Sequence, residues 1–240
     1  MDAQLQQLSD MLARAGRVAF LGGAGLSTES GIPDFRSSDG VYAALRAYGR
    51  PPEELLSHEF FLAHPDVFFD YYRKYLLHPE AEPNAAHAAL ARLERRGRLT
   101  AVITQNIDGL HQKAGSREVL ELHGSVLRNY CERCHKFYGL DAILHSTGVP
   151  KCTCGGDIKP DVVLYEEGLD ENVMDKALRY IHNADMLIIG GTSLVVYPAA
   201  GLVRYYRGHK LVVINKGTVG ADIGADLVID GPIGQALAQV

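Results

Sequence analysis

Three sets of residues in this chain have types and spacings that could do chemistry. The first is Gly22-Gly23-Ala24-Gly25-Leu26-Ser27-Thr28, followed closely by Gly31-Ile32-Pro33-Asp34-Phe35-Arg36. Glycines between a buried strand and a helix start let backbone N–H groups approach a diphosphate, and the helix N-terminus adds partial positive charge. Ser27 and Thr28 add hydroxyl donors. A glycine turn also serves plain packing. The loop behind it, with an aromatic ring at Phe35 and a guanidinium at Arg36, favours a ligand instead. The second set follows the ends of apolar runs: Gln105-Asn106-Ile107-Asp108, His123, Thr192-Ser193, Asn215 and Asp230. The third is four cysteines, Cys131-x2-Cys134 and Cys152-x-Cys154. Two close thiol pairs joined by a turn-rich loop suit a tetrahedral Zn2+ held by four thiolates, which leaves no open position for catalysis and marks the ion as structural. His135 and His145 are alternative ligands, read here as surface residues.

These residues need elements to hold them. Short apolar runs at 17–21, 99–103, 118–122, 186–190, 210–214 and 227–229 read as buried strands. Helical patterns separate them: Leu5, Leu8, Met11 and Leu12 at the start, an aromatic-rich stretch over 64–77, residues 85–96 behind an N-cap at Asn84, 170–182, 198–207 and a short closing helix. Pro51-Pro52-Glu53-Glu54 opens a further helix. Residues 31–49 read as a polar, turn-rich loop. Strands alternating with helices predict an α/β fold, a Rossmann-like doubly wound parallel sheet with a small inserted zinc-binding module. The polar residues then line the ligand edge of that sheet. The expected division is 1–124 and 158–240 for the Rossmann-like ligand-binding domain and 125–157 for the zinc module. Residues 32–80 contribute a cofactor loop and a helical insertion.

Composition narrows the function classes. A chain of 240 residues can bury one substantial core and a small module. Net charge is −5 with no basic run, which argues against direct nucleic-acid binding. No apolar stretch is long enough to cross a bilayer, and no signal peptide is read, so a cytoplasmic location is expected. Clustered thiols without an export signal favour metal over disulfides.

The order of these motifs resembles the sirtuin family of NAD-dependent protein deacylases, over nearly the whole chain. Gly23-Ala24-Gly25-x-Ser27, Gly31-Ile32-Pro33-Asp34-Phe35-Arg36, Thr104-Gln105-Asn106-Ile107-Asp108-x-Leu110-His111, His123-Gly124, the cysteine pairs and Gly191-Thr192-Ser193-Leu194 carry the likeness. The resemblance implies NAD as co-substrate, one structural zinc, and an acyl-lysine protein or peptide partner; the sequence does not fix the oligomeric state, and a monomer is taken as the default. It implies transfer of the acyl group from lysine to ADP-ribose with release of nicotinamide. His123 becomes the general base, with Asn106 and Asp108 as the other catalytic residues. Gly23, Ala24, Gly25, Ser27, Thr28, Phe35, Arg36, Gln105 and Ile107 become NAD contacts, Phe35 shielding the ribose and Arg36 holding phosphates. Thr192, Ser193, Asn215 and Asp230 complete the NAD set. Val162, Val163, Leu164, Tyr165 and Val195 are expected to border the substrate peptide. His111, His58, His64, His78 and His87 are read as structural. Many members carry Phe-Gly-Glu where this chain has Tyr165-Glu166-Glu167, a loss of backbone freedom beside the peptide. Members that take succinyl or malonyl lysine carry a Tyr and an Arg three apart, a pair that Tyr71-Tyr72-Arg73-Lys74 does not clearly supply. Acetyl or another uncharged acyl group is therefore expected. Protein ADP-ribosylation, or a longer acyl chain, is the alternative, with a non-catalytic NAD-sensing module behind both.

Overall fold

A computed structural model describes residues 2–34, 38–217 and 223–238. The amphipathic helix α1 (Asp2–Arg14) leads into β1 (Val18–Gly22), which is buried along its whole length. The chain then turns through the one-turn helix α2 (Ala24–Ser27) and a 3-10 turn, Thr28–Ser30. Helix α3 (Ser38–Tyr48) lies where a polar loop was expected. Its apolar side is thin, but Ala44 is buried and Tyr48 packs edge-on against Tyr71, so distant contacts fold a segment with weak local signals. Three short helices follow, α4 (Pro52–Leu55), α5 (His58–Ala63) and α6 (Pro65–Tyr75), two of them opened by proline. In α7 (Ala85–Arg95) the Asn84 side chain accepts from the N–H groups of Ala86 and His87, while the Asn84 N–H donates to His87 Nδ1.

The second half runs β2 (Leu99–Thr104), α8 (Leu110–Lys113), β3 (Val119–Glu121), β4 (Gly124–Cys131), β5 (Phe137–Tyr138), α9 (Asp141–Leu144) and β6 (Ile158–Val162). Then come α10 (Glu171–Asn183), β7 (Met186–Gly190), β8 (Leu211–Asn215), β9 (Leu227–Asp230) and α11 (Ile233–Leu237). Residues Ala199–Tyr205 form a 3-10 segment rather than the α-helix expected over 198–207. Gly201 in its middle is a poor helix former, and its N–H closes on the Pro198 carbonyl three residues back. Among the described residues no helix is long and apolar enough to cross a membrane.

Six strands form a parallel sheet in the order β3-β2-β1-β7-β8-β9. Alternate residues face opposite sides. Phe20, Val102, Ile188 and Val212 meet α1, α7 and α11, while Leu21, Ile103, Ile189 and Val213 meet α10 and the 199–205 segment. A second, antiparallel sheet has the order β5-β4-β6, so residues 158–162 complete the sheet of the cysteine segment. Its core is shared with α4–α6, where Phe61, Phe68, Phe69 and Tyr72 stack among themselves beside Cys131, Cys152 and Ile158.

Candidate active site

The strand order fixes where a ligand can sit. β1 and β7 are neighbours, but the chain leaves β1 toward β2 and leaves β7 toward β8. The connections part above their C-terminal ends, and a crevice opens there. Its volume is about 610 Å3, and it is walled on its far side by β6 and residues 163–167.

Backbone approach shapes the floor. A Cβ on Gly25 would lie 2.9 Å from Gly191 Cα and O, and one on Gly23 would lie 2.9 Å from Thr192 Cβ. Gly191 has φ +62, and a Cβ there would meet Leu26 N at 2.4 Å. Only glycines let the two turns close on each other, which brings the start of α2 to the crevice. Sequence reasoning left Gly191 out of the candidate site, although it opens the Gly191-Thr192-Ser193-Leu194 motif.

The polar residues from β2 converge on the first turn. Ser27 is buried; its hydroxyl donates to Asp108 Oδ2 at 2.6 Å and accepts from Asn106 Nδ2 at 2.9 Å. Asp108 Oδ1 accepts from the Leu110 N–H at 2.9 Å, which anchors the start of α8. Burial pushes the Asp108 carboxyl above its ordinary value, against the hydrogen bonds from Ser27 and Leu110 that favour its charge. Gln105 Nε2 donates to Thr192 Oγ1 at 3.1 Å, tying β2 to the loop after β7.

His123 stands between β3 and β4 and lines the crevice. Its Nδ1 lies 3.0 Å from the Gln105 carbonyl oxygen. A carbonyl only accepts, so Nδ1 carries the hydrogen and Nε2 is the basic nitrogen of the neutral ring.

Gly23, Ala24, Gly25, Ser27, Ile107, Ser193 and Asn215 line the same crevice, as do Val162, Val163, Leu164, Tyr165 and Val195. Thr28 and Asp230 are not among its lining residues. The Thr28 hydroxyl donates to the Gly25 carbonyl, and the Asp230 carboxylate accepts from the Gly217 N–H. Phe35 and Arg36 lie outside the described residues. Tyr75, His78 and Lys216 also line the crevice. Packing of distant elements brings them there, and no local motif marks them. Glu166 takes a left-handed backbone, φ +79, so the chain keeps there a shape that suits glycine. The Glu166 carboxylate accepts from the Glu59 N–H. Arg73 points away from the crevice, donating to the Ile143 and Gly148 carbonyls and to Ser146 Oγ.

The cysteines form a separate cluster. Cys131 and Cys154 sulfurs are 3.5 Å apart, Cys134 and Cys152 sulfurs 3.6 Å, and all four lie within 4.8 Å of one another. Zn–S bonds of about 2.3 Å in a tetrahedron separate sulfurs by about 3.8 Å, so the set fits one zinc ion. The Cys154 N–H and the Tyr138 hydroxyl, 3.0 Å from Cys152 Sγ, hold that thiol well below its ordinary value, toward the thiolate a metal needs. His135 and His145 do not join this cluster.

Comparison with known proteins points one way. The Sir2 family model matches residues 23–198. An NAD-dependent protein deacetylase of Clostridium perfringens is 57% identical over 242 residues, covering 100% of this chain and 99% of that protein. A solved Sir2–p53 peptide–NAD+ complex superposes with a TM-score of 0.86 at 39% identity, covering 98% of this chain and 96% of the other. A Sir2 structure bound to acetylated peptide gives 0.85 at 38% identity, with the same coverage.

Proposed function

This chain belongs to the Sir2 family, and on that premise we propose how its crevice works. The chain is an NAD-dependent protein deacetylase that acts on acetyl-lysine in a protein or peptide. The glycine cradle at Gly25 and Gly191 fits a diphosphate, and the cysteine set fits one structural zinc. When bound, NAD supplies an anomeric carbon with nicotinamide as its leaving group.

The residues divide the work. Gly23, Ala24, Gly25 and Ser27 shape the phosphate side: the Gly190 and Gly191 carbonyls take the Gly23 and Gly25 N–H groups and Asp108 takes the Ser27 hydroxyl, which sets the start of α2 toward the phosphates, and Arg36 adds charge from the following loop. Thr28 braces the turn from behind. Asp108 and Ile107 form the nicotinamide pocket, with the carboxylate accepting from a carboxamide N–H. Asn106 orients the ribose and a water, since an amide donates and accepts at once. Phe35 covers the ribose and keeps water out. Gln105, Thr192, Ser193 and Asn215 hold the ribose and adenine side, and Asp230 braces the turn at Gly217 behind them. The His123 Nε2 takes the proton from a ribose hydroxyl, and Nδ1–H on the Gln105 carbonyl keeps the ring in that tautomer. The substrate adds as a strand between Val162–Tyr165 and the segment at Val195, with backbone pairing for affinity. Among the described lining residues Lys216 is the only Lys or Arg, which favours an uncharged acyl group over succinyl. The proposed division keeps 1–124 and 158–240 as the NAD-binding domain, 125–157 as the zinc module and 32–80 as cofactor loop and helical insertion, with residues 158–162 lending the module its third strand. Clustered thiols suited to metal favour a cytoplasmic location.

The observation that carries this reading is His123 in one crevice with Asn106 and Asp108, its tautomer set by a main-chain carbonyl. Incubation with NAD and an acetyl-lysine peptide tests it. Nicotinamide, free lysine and an acylated ADP-ribose in equal amounts support the deacetylase. ADP-ribose attached to protein would favour transfer to protein instead, and absence of nicotinamide would contradict any turnover.

A further inference from the structure

His123 sits where the two sheets meet, and one guanidinium spans that joint. β4 bulges against β6, pairing Ser125 with Asp161 and then Asn129 with Pro160. The bulge turns Arg128 back across the joint. Arg128 Nη1 donates to Glu121 Oε2 at 2.6 Å, and Nε donates to Asp161 Oδ2 at 2.7 Å. The Glu121 side chain is only 8% exposed, and its other oxygen accepts from Gln112 Nε2 on α8 at 2.8 Å.

Each partner is tied to a different residue that lines the crevice. Gln112 is on the helix that Asp108 anchors. Glu121 ends β3, two residues before His123. Asp161 is next to Val162, and its carbonyl crowds Gly124 so closely that a Cβ there would lie 1.9 Å away. The Val163 N–H donates to the His123 carbonyl at 3.0 Å. Burial works against the Arg128 charge, and the two carboxylates more than offset it.

We propose that Arg128 is a positioning residue for deacetylation, acting through Glu121 and Asp161 to set the peptide-binding strand against His123 and the Asp108 loop. Without the cation, two carboxylates that share it would face each other and open the joint. Lysine keeps the charge but cannot reproduce the two-directional fork of a guanidinium. The turn that carries the diphosphate is not part of this network.

The inference rests on the deacetylase reading, and steady-state kinetics of wild type, Arg128→Lys, Arg128→Met and Asp161→Asn test it. Arg128→Met is expected to raise the peptide KM and lower kcat, cutting kcat/KM for peptide about tenfold or more, because small misplacements of reacting groups are costly. The NAD Kd stays within about twofold of wild type, and Arg128→Lys falls between wild type and methionine. If Arg128→Met does not fold, Asp161→Asn carries the same direction with a smaller loss, more than twofold in peptide kcat/KM, because its amide oxygen still accepts from Arg128 Nε while the charge is gone. Peptide kcat/KM within twofold of wild type in the folded variants overturns the proposal. So does an equal loss of NAD affinity and peptide turnover, the mark of general destabilisation. A wild type that releases no nicotinamide overturns the deacetylase reading, and this inference with it.

Discussion

Asp108 and two buried histidines show how single residues carry the account. The Asp108 carboxylate has lost most of its water and holds hydrogen bonds from Ser27 and Leu110 in return. Asp108→Asn keeps the shape but turns one acceptor into a donor facing the Ser27 hydroxyl or the Leu110 N–H. It is expected to leave the fold intact and to slow nicotinamide release about a hundredfold, read from single-turnover assays at saturating NAD. His87 and His111 lie beneath the site with ring centroids 4.8 Å apart. Burial holds His87 at about 4 and His111 at about 3, so both are neutral at pH 7. Their unfolded values are near 6.5, so the unfolded chain binds protons first as pH falls. Stability is thus full above about pH 6.5 and is lost toward pH 4, by up to about 1.4 kcal/mol per pH unit for each histidine. Denaturant titrations of the wild type and His111→Phe between pH 7 and 5 check this, the variant showing the shallower slope. Equal slopes would remove His111 from the acid response. The sequence placed both histidines among structural residues, but their pairing depends on how α7 meets α8.

At the scale of elements, the readable parts were those whose signals are local. The Asn84 cap, the buried strands and the cysteine pairs all announce themselves within a few residues. Helix α3 did not, because Ser38-Asp39-Gly40 imitates a turn and its packing partner Tyr71 lies far along the chain. Tyr75, His78 and Lys216 reach the crevice by the same long-range packing. The glycine turn was legible from one side only. Gly25 stood out in its run, whereas Gly191 gains its meaning from the Leu26 N–H pressed against it. Gly191→Ala would add both a strained backbone and a clash, costing about 1–3 kcal/mol. The expected result is an NAD Kd weakened about tenfold or more in calorimetry. An alanine variant with unchanged NAD affinity would contradict the cradle.

In the whole molecule, the parallel sheet bears the first wall of the crevice and the antiparallel sheet bears the second, with His123 at their junction. Cys131 and Cys152 belong to the same buried cluster as Phe68, Phe69 and Tyr72. Metal loss should therefore loosen α4–α6 along with the cysteine segment. One zinc per chain is expected by metal analysis. Chelation should weaken peptide binding before NAD binding, whereas an enzyme that keeps both after complete zinc removal would contradict a structural role. The central claim is that a neutral imidazole at this junction takes the proton that lets the acyl group leave lysine. The most direct test is His123→Ala, assayed for free lysine formed from acetyl peptide and NAD, with NAD binding measured on the same sample. The account predicts turnover lowered by about 10²–10⁴-fold with NAD affinity and melting temperature retained; near-wild-type turnover would contradict it.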